Sequence, residues 1–99
     1  MMGGVFTKKK MNYLHYRRLS RLTEAKDSNG ERVPFKILYA AKNGDVITPE
    51  SGECVVTSID IHNGTRTVQF LQSGQSRTLR DCLFLSVFLR NKEYKIIAN

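Results

Sequence analysis

Four turn signals recur along this chain: Asp27-Ser28-Asn29-Gly30-Glu31, Lys42-Asn43-Gly44-Asp45, His62-Asn63-Gly64-Thr65 and Gln72-Ser73-Gly74-Gln75. Asn-Gly is the strongest short-range hairpin signal, because both residues tolerate the positive φ that a type I′ turn demands. Three Asn-Gly pairs and one Ser-Gly leave room between them for strands of roughly four to eight residues and little else. The spacing predicts an antiparallel meander.

The segments between the turns carry the period-2 pattern of half-buried strands. In Pro34–Ala40, Phe35, Ile37 and Tyr39 share a face that Lys36 does not. In Cys54–Ile61, the alternation sets Val55, Ile59 and Ile61 on one face and Ser58 and Asp60 on the other. In Thr65–Leu71, Val68 and Phe70 alternate with Thr67 and Gln69. Pro34 has no N–H to give a ladder and is expected at a strand start or edge. Cys82–Leu89 is nearly continuous in apolar residues and reads as a strand buried on both faces, either central or covered. An oligomer interface over Leu83, Leu85, Val87 and Phe88, or packing by the N-terminal segment, would cover it. Glu93–Ala98 reads as a closing strand. Leu19–Lys26 reads as the first arm of a hairpin around Asn29-Gly30. A helix is the alternative there, with Met11, Leu14, Arg18 and Leu22 on one stripe.

Five to seven short strands in 99 residues make one domain with exposed edges to manage. The fold class is therefore mainly β: a small antiparallel, partly open β-barrel with a short N-terminal arm or helix. Strand count and turn spacing resemble SH3-like and OB-like barrels in size, and no motif in the residues identifies a family. Residues 1–18 are assigned to a basic, flexible N-terminal segment and residues 19–99 to the barrel. An apolar share of 40% argues against a fully disordered chain. No run is apolar or long enough for a signal peptide or a membrane span, which points to a cytoplasmic protein without a membrane partner.

Charge is the second constraint. The net charge is +7, and residues 1–22 hold six basic residues (Lys8, Lys9, Lys10, Arg17, Arg18, Arg21) and no acidic one. Such asymmetry suggests an anionic partner or a solubilising tail. Met11 is a candidate translation start; if it is used, the three lysines are absent, and an anion-binding reading must rest on Arg17, Arg18 and Arg21. Tyr13 and Tyr16 sit among these arginines and could stack on bases, and Arg66, Arg77 and Arg80 could extend the basic surface. Arg80 alternates away from Leu79 and is expected to face solvent.

Catalytic signals are weak. His15 and His62 lie in unrelated segments, and Cys54 and Cys82 have no CxxC partner, so neither a metal site nor another cofactor is expected. The cysteines read as free thiols buried as small hydrophobes. There is no G-x-S-x-G elbow and no phosphate-cradling glycine loop. Met2–Thr7 matches a crude myristoylation pattern and Arg17-Arg18-Leu19-Ser20 a crude kinase site, and both read as chance. The expectation is a non-catalytic binding module. Its more specific form binds DNA or RNA through the N-terminal arginines and barrel surface. Its alternative is an assembly module that contacts itself or another protein.

Overall fold

The structure is a computed structural model that describes residues 13–97. Lys8, Lys9, Lys10, the Met2–Thr7 pattern and the Met11 start lie outside the described residues. The chain opens with a two-residue strand β1 (Tyr13–Leu14), a helix α1 (Tyr16–Arg21) and a 3-10 turn (Leu22–Glu24). Seven further strands follow: β2 (Lys36–Ala40), β3 (Val46–Ile47), β4 (Cys54–Asp60), β5 (Thr65–Phe70), β6 (Ser76–Arg80), β7 (Phe84–Leu89) and β8 (Lys92–Ile96). One sheet has the order β1-β8-β7-β2-β3 and the other is the meander β4-β5-β6. All pairs are antiparallel except β1 with β8, where Tyr13 faces Lys95.

The two sheets meet at a corner. Phe35 and Cys54 exchange both backbone bonds, at 3.0 and 2.8 Å. Cys54 also pairs with Phe70. On the far side the chain passes from β6 through a 3-10 turn (Asp81–Leu83) into β7. There the gap between β6 and β3 is bridged by side chains: Arg77 pairs with Asp45, and the Tyr39 hydroxyl accepts from the Arg80 N–H at 3.2 Å. The result is two antiparallel-rich sheets around one core, without closure into a barrel.

The core follows the alternation of β2 and β5. Phe35, Ile37 and Tyr39 are buried, as are Val68 and Phe70, with Leu79 and Phe84 between them. Tyr39 and Phe84 pack edge to face with ring centres 5.7 Å apart. In β4 the expected face is corrected. Cys54 and Val56 are buried, and a bulge between Val56 and Ser58 adds one residue before the pairing resumes. The bulge turns Ile59 onto the core, three positions after Val56, whereas Ile61 lies past the end of β4 in the turn and is 89% exposed.

The turns form where the glycines are, in a different geometry from the one expected. Asn29, Asn43 and Asn63 keep negative φ, and only the glycine after each is left-handed. In Lys42–Gly44 the Gly44 N–H bonds to Ala41 O and the Ala41 N–H to Asp45 O. This is a three-residue loop with glycine at the left-handed position. The pair with both φ values positive is Arg90 (51°) and Asn91 (68°), in the two-residue loop joining β7 to β8.

Leu19–Lys26 is not a strand, and only its end pairs across the Asn29-Gly30 turn, where Lys26 bridges Arg32. A strand would place Arg21 on the same face as Leu19 and Thr23. A helix turns Arg21 away and puts Leu19 and Thr23, four apart, on one side. Both are fully buried, and Leu19 lies in the core. The helix is short, so its stability comes from this docking rather than from propensity. Burying Leu19 contributes about 1.5–3 kcal/mol. The His15 Nδ1 caps the start by accepting from the Arg17 N–H at 3.2 Å. Of the residues assigned to the N-terminal segment, 13–18 hold β1 and the start of α1.

Helix α1 packs against β7 and β8. This is the N-terminal packing that the apolar β7 calls for. Strand β7 is central, with Val87 opposite Ile37 on one side and Tyr94 on the other.

Candidate nucleic-acid interface

Helix α1 and the ends of β5 and β6 bound an open cleft of about 700 Å³. This volume lies within the range of ligand sites, roughly 300–1,000 Å³. Arg17, Arg18 and Arg21 reach it from the helix, Arg80 from the end of β6, and Arg66 from β5. Tyr16, Ile61 and Cys82 complete the wall that a ligand would meet.

Arg66 is the anchor of this region. It is 4% exposed, and its guanidinium is held on every side by the protein. Nε donates to Asp81 Oδ1 at 2.7 Å and Nη2 to Asp81 Oδ2 at 3.2 Å. Nη1 donates to Ser20 O at 2.9 Å, Thr23 Oγ1 at 2.9 Å and Glu24 Oε2 at 3.0 Å. One side chain thus ties the end of α1 to β5 and to the turn before β7. It also satisfies a carbonyl at the helix C-terminus, where positive charge is favoured. Burial alone lowers the Arg66 pKa, but the bonds to Asp81 and then to Glu24 outweigh it, and the net shift is upward. Arg66 is therefore corrected: it belongs to the interior and not to the exposed basic surface. The sequence signal was present, because Arg66 stands two and four residues before the inward-facing Val68 and Phe70.

The cleft's two carboxylates, Asp81 and Glu24, both engage Arg66. Arg17, Arg18, Arg21 and Arg80 are exposed, and among the described residues none of them is in an ion pair. With both carboxylates turned to Arg66, the four exposed guanidiniums leave a positive surface with exposed donors. Arg17 lies against Tyr16, its guanidinium carbon 5.9 Å from the ring centre, and the His15 ring lies 4.6 Å from Tyr16.

The remaining candidates lie elsewhere. Tyr13 is exposed at the sheet edge in β1 and does not line the cleft. Arg77 is half-buried on β6 and paired with Asp45. Of the four interface candidates, Val87 is fully buried. Leu83 and Phe88 are half-buried, and Leu85 is 38% exposed. Ser20, the serine of the crude kinase motif, is 2% exposed and donates to Arg17 O at 3.2 Å, so the fold conceals it.

Both cysteines are free. Cys54 is buried, and burial, with Glu53 adding to it, pushes its thiol up to about 12. Cys82 is exposed, contrary to the expectation for both. Among the described residues no group of His, Cys, Asp and Glu is placed to hold a metal ion. No helix among them is long and apolar enough to cross a membrane.

Comparison with protein-family models, with curated proteins and with solved structures finds no match to this chain.

Proposed function

We propose that this protein is a non-catalytic nucleic-acid-binding module, built on a small open barrel of SH3-like type, whose arginine cleft holds the phosphate backbone. The observation that carries this reading is the convergence of Arg17, Arg18, Arg21 and Arg80 from two elements distant in sequence, with no ion pair on any of them among the described residues. Exposed guanidiniums gathered in a cleft displace counterions from phosphates and supply affinity that does not depend on sequence. The SH3-like reading draws on the three-stranded meander, the corner at Phe35 and Cys54, and the return of β7 beside β2.

The test is a fluorescence-anisotropy titration with labelled DNA and RNA at two salt concentrations. Four phosphate contacts predict a loss of affinity of about 50- to 150-fold between 50 and 200 mM salt. The triple variant Arg18→Glu, Arg21→Glu, Arg80→Glu should bind at least a hundredfold more weakly while remaining folded. Absence of binding by the unaltered protein at the lower salt would sink the reading.

A further inference from the structure

The arginines explain attraction to phosphate, but they do not explain Ile61. This residue lines the same cleft and is 89% exposed, the most exposed large apolar side chain among the described residues. It is also held in place. The Asp60 carboxylate accepts from the Asn63 N–H at 3.1 Å and from Asn63 Nδ2 at 2.7 Å. Ile61 O accepts from the Gly64 N–H at 3.3 Å, and Gly64 O accepts from the Asp81 N–H at 2.9 Å. The loop between β4 and β5 therefore presents an isoleucine from a hydrogen-bonded support beside a positively charged wall. From the helix side, the cleft offers Tyr16 with the Arg17 guanidinium against it.

A ligand for such a cleft needs negative charge and an accessible apolar or planar face. A duplex shows its phosphates outward and keeps the faces of its bases stacked. A single strand exposes phosphates and base faces together, and those faces rest on aromatic rings, on guanidinium planes and on apolar side chains. An anionic bilayer also combines charge with apolar matter, but it is broad and flat. Here the arginines and Ile61 line one concave site between a helix and a loop.

Building on the nucleic-acid reading of this cleft, we propose that its ligand is a single strand: Arg18, Arg21 and Arg80 hold the phosphates, and an unstacked base rests on Ile61 and the Tyr16–Arg17 pair. Ile61 is then a binding residue for bases, whereas Arg18, Arg21 and Arg80 bind the chain whatever its sequence.

Four probes separate the possibilities: a thymidine homopolymer strand, the same strand with abasic sites, a duplex with the same number of phosphates, and phosphatidylserine vesicles. The full chain should prefer the thymidine strand over the abasic strand and the duplex by tenfold or more at equal salt. Ile61→Ser should remove that preference and leave the salt dependence unchanged, and Ile61→Leu should keep it. Because Ile61 is outside the core, neither substitution threatens the fold. Arg80→Gln should instead flatten the salt dependence for every nucleic acid. Equal affinity for the thymidine and abasic strands overturns the proposal while leaving phosphate binding intact. So does preference for the duplex, or an unchanged preference in Ile61→Ser. Binding to the vesicles in preference to every nucleic acid overturns it in favour of a lipid surface. Failure to bind any nucleic acid removes the underlying reading along with it.

Discussion

Arg66 and Arg80 sit on neighbouring strands and line the same cleft, yet they live in opposite environments. In the β5–β6 register Arg66 stands across from Leu79, and Arg80 across from Thr65. Residues paired across a ladder point to the same side, so Arg66 follows Leu79 inward and Arg80 goes out. One residue of register separates an arginine that holds the helix to the sheet from one with its donors in solvent. Cleft position alone therefore does not identify a binding residue; the acceptors already taken do.

The contrast breaks most severely at Arg66. Replacing it with leucine leaves Asp81 and Glu24 without their cation and frees the end of α1. Removing one partner of a buried pair costs about 3–5 kcal/mol. A large fall in the urea midpoint is expected, and an unchanged midpoint would show that Arg66 does not anchor the helix. Arg18→Gln and Arg80→Gln, by contrast, should stay within about 0.5 kcal/mol of the unaltered protein in the same measurement.

The cysteines repeat the contrast. Cys54 is buried with its pKa raised to about 12 from an ordinary 9.0. Above pH 9 the unfolded thiol loses its proton while the folded one keeps it. The stability held below pH 9 is therefore lost as pH rises towards 12, by about 1.4 kcal/mol for each pH unit. Chemical denaturation across that range should show a shallower alkaline loss in Cys54→Ala than in the unaltered protein, and identical slopes would refute the assignment. A thiol reagent at neutral pH should modify Cys82 in the native protein and reach Cys54 only on unfolding.

The smallest expected effect serves as a control at an arginine remote from the cleft. Arg90 holds φ of 51° in its turn, a conformation that asparagine tolerates better. Arg90→Asn should raise stability by about 0.5 kcal/mol, read as a higher urea midpoint at unchanged slope, and leave nucleic-acid affinity as it was. A drop in affinity equal to that of Arg80→Gln would mean that net charge, rather than the cleft, governs binding.

Much of the fold was legible because period-2 alternation is a local property. Phe35, Ile37 and Tyr39, like Val68 and Phe70, declare their face to anyone who knows a strand is there. The helix was harder. Residues 16–24 carry few apolar side chains, and only docking against β7 shows that Leu19 and Thr23 belong on one face. The Val56–Ser58 bulge puts Cys54, Val56 and Ile59 on the core across a break in the alternation, and a single extra residue leaves no mark in the composition. Of the cleft, Arg17, Arg18, Arg21, Tyr16 and Arg80 were visible in advance as a charge pattern. The alternation of β5 points Arg66 inward, while its charge points it to the surface. Alternation in β4 puts Ile61 on a buried face, and the end of the strand at Asp60 removes it from that pattern.

By itself the sequence determined a chain of short antiparallel strands, punctuated by glycine turns and led by arginines without acidic neighbours. Those are consequences of local sterics and of charge counting. Tertiary structure alone decided that β6 would end beside α1, so that Arg80 joins the helical arginines, and that Asp81 and Glu24 would converge on Arg66. Ladder register and helix docking set these juxtapositions, 15 residues apart for Asp81 and Arg66 and 42 for Glu24 and Arg66, and no local preference encodes them.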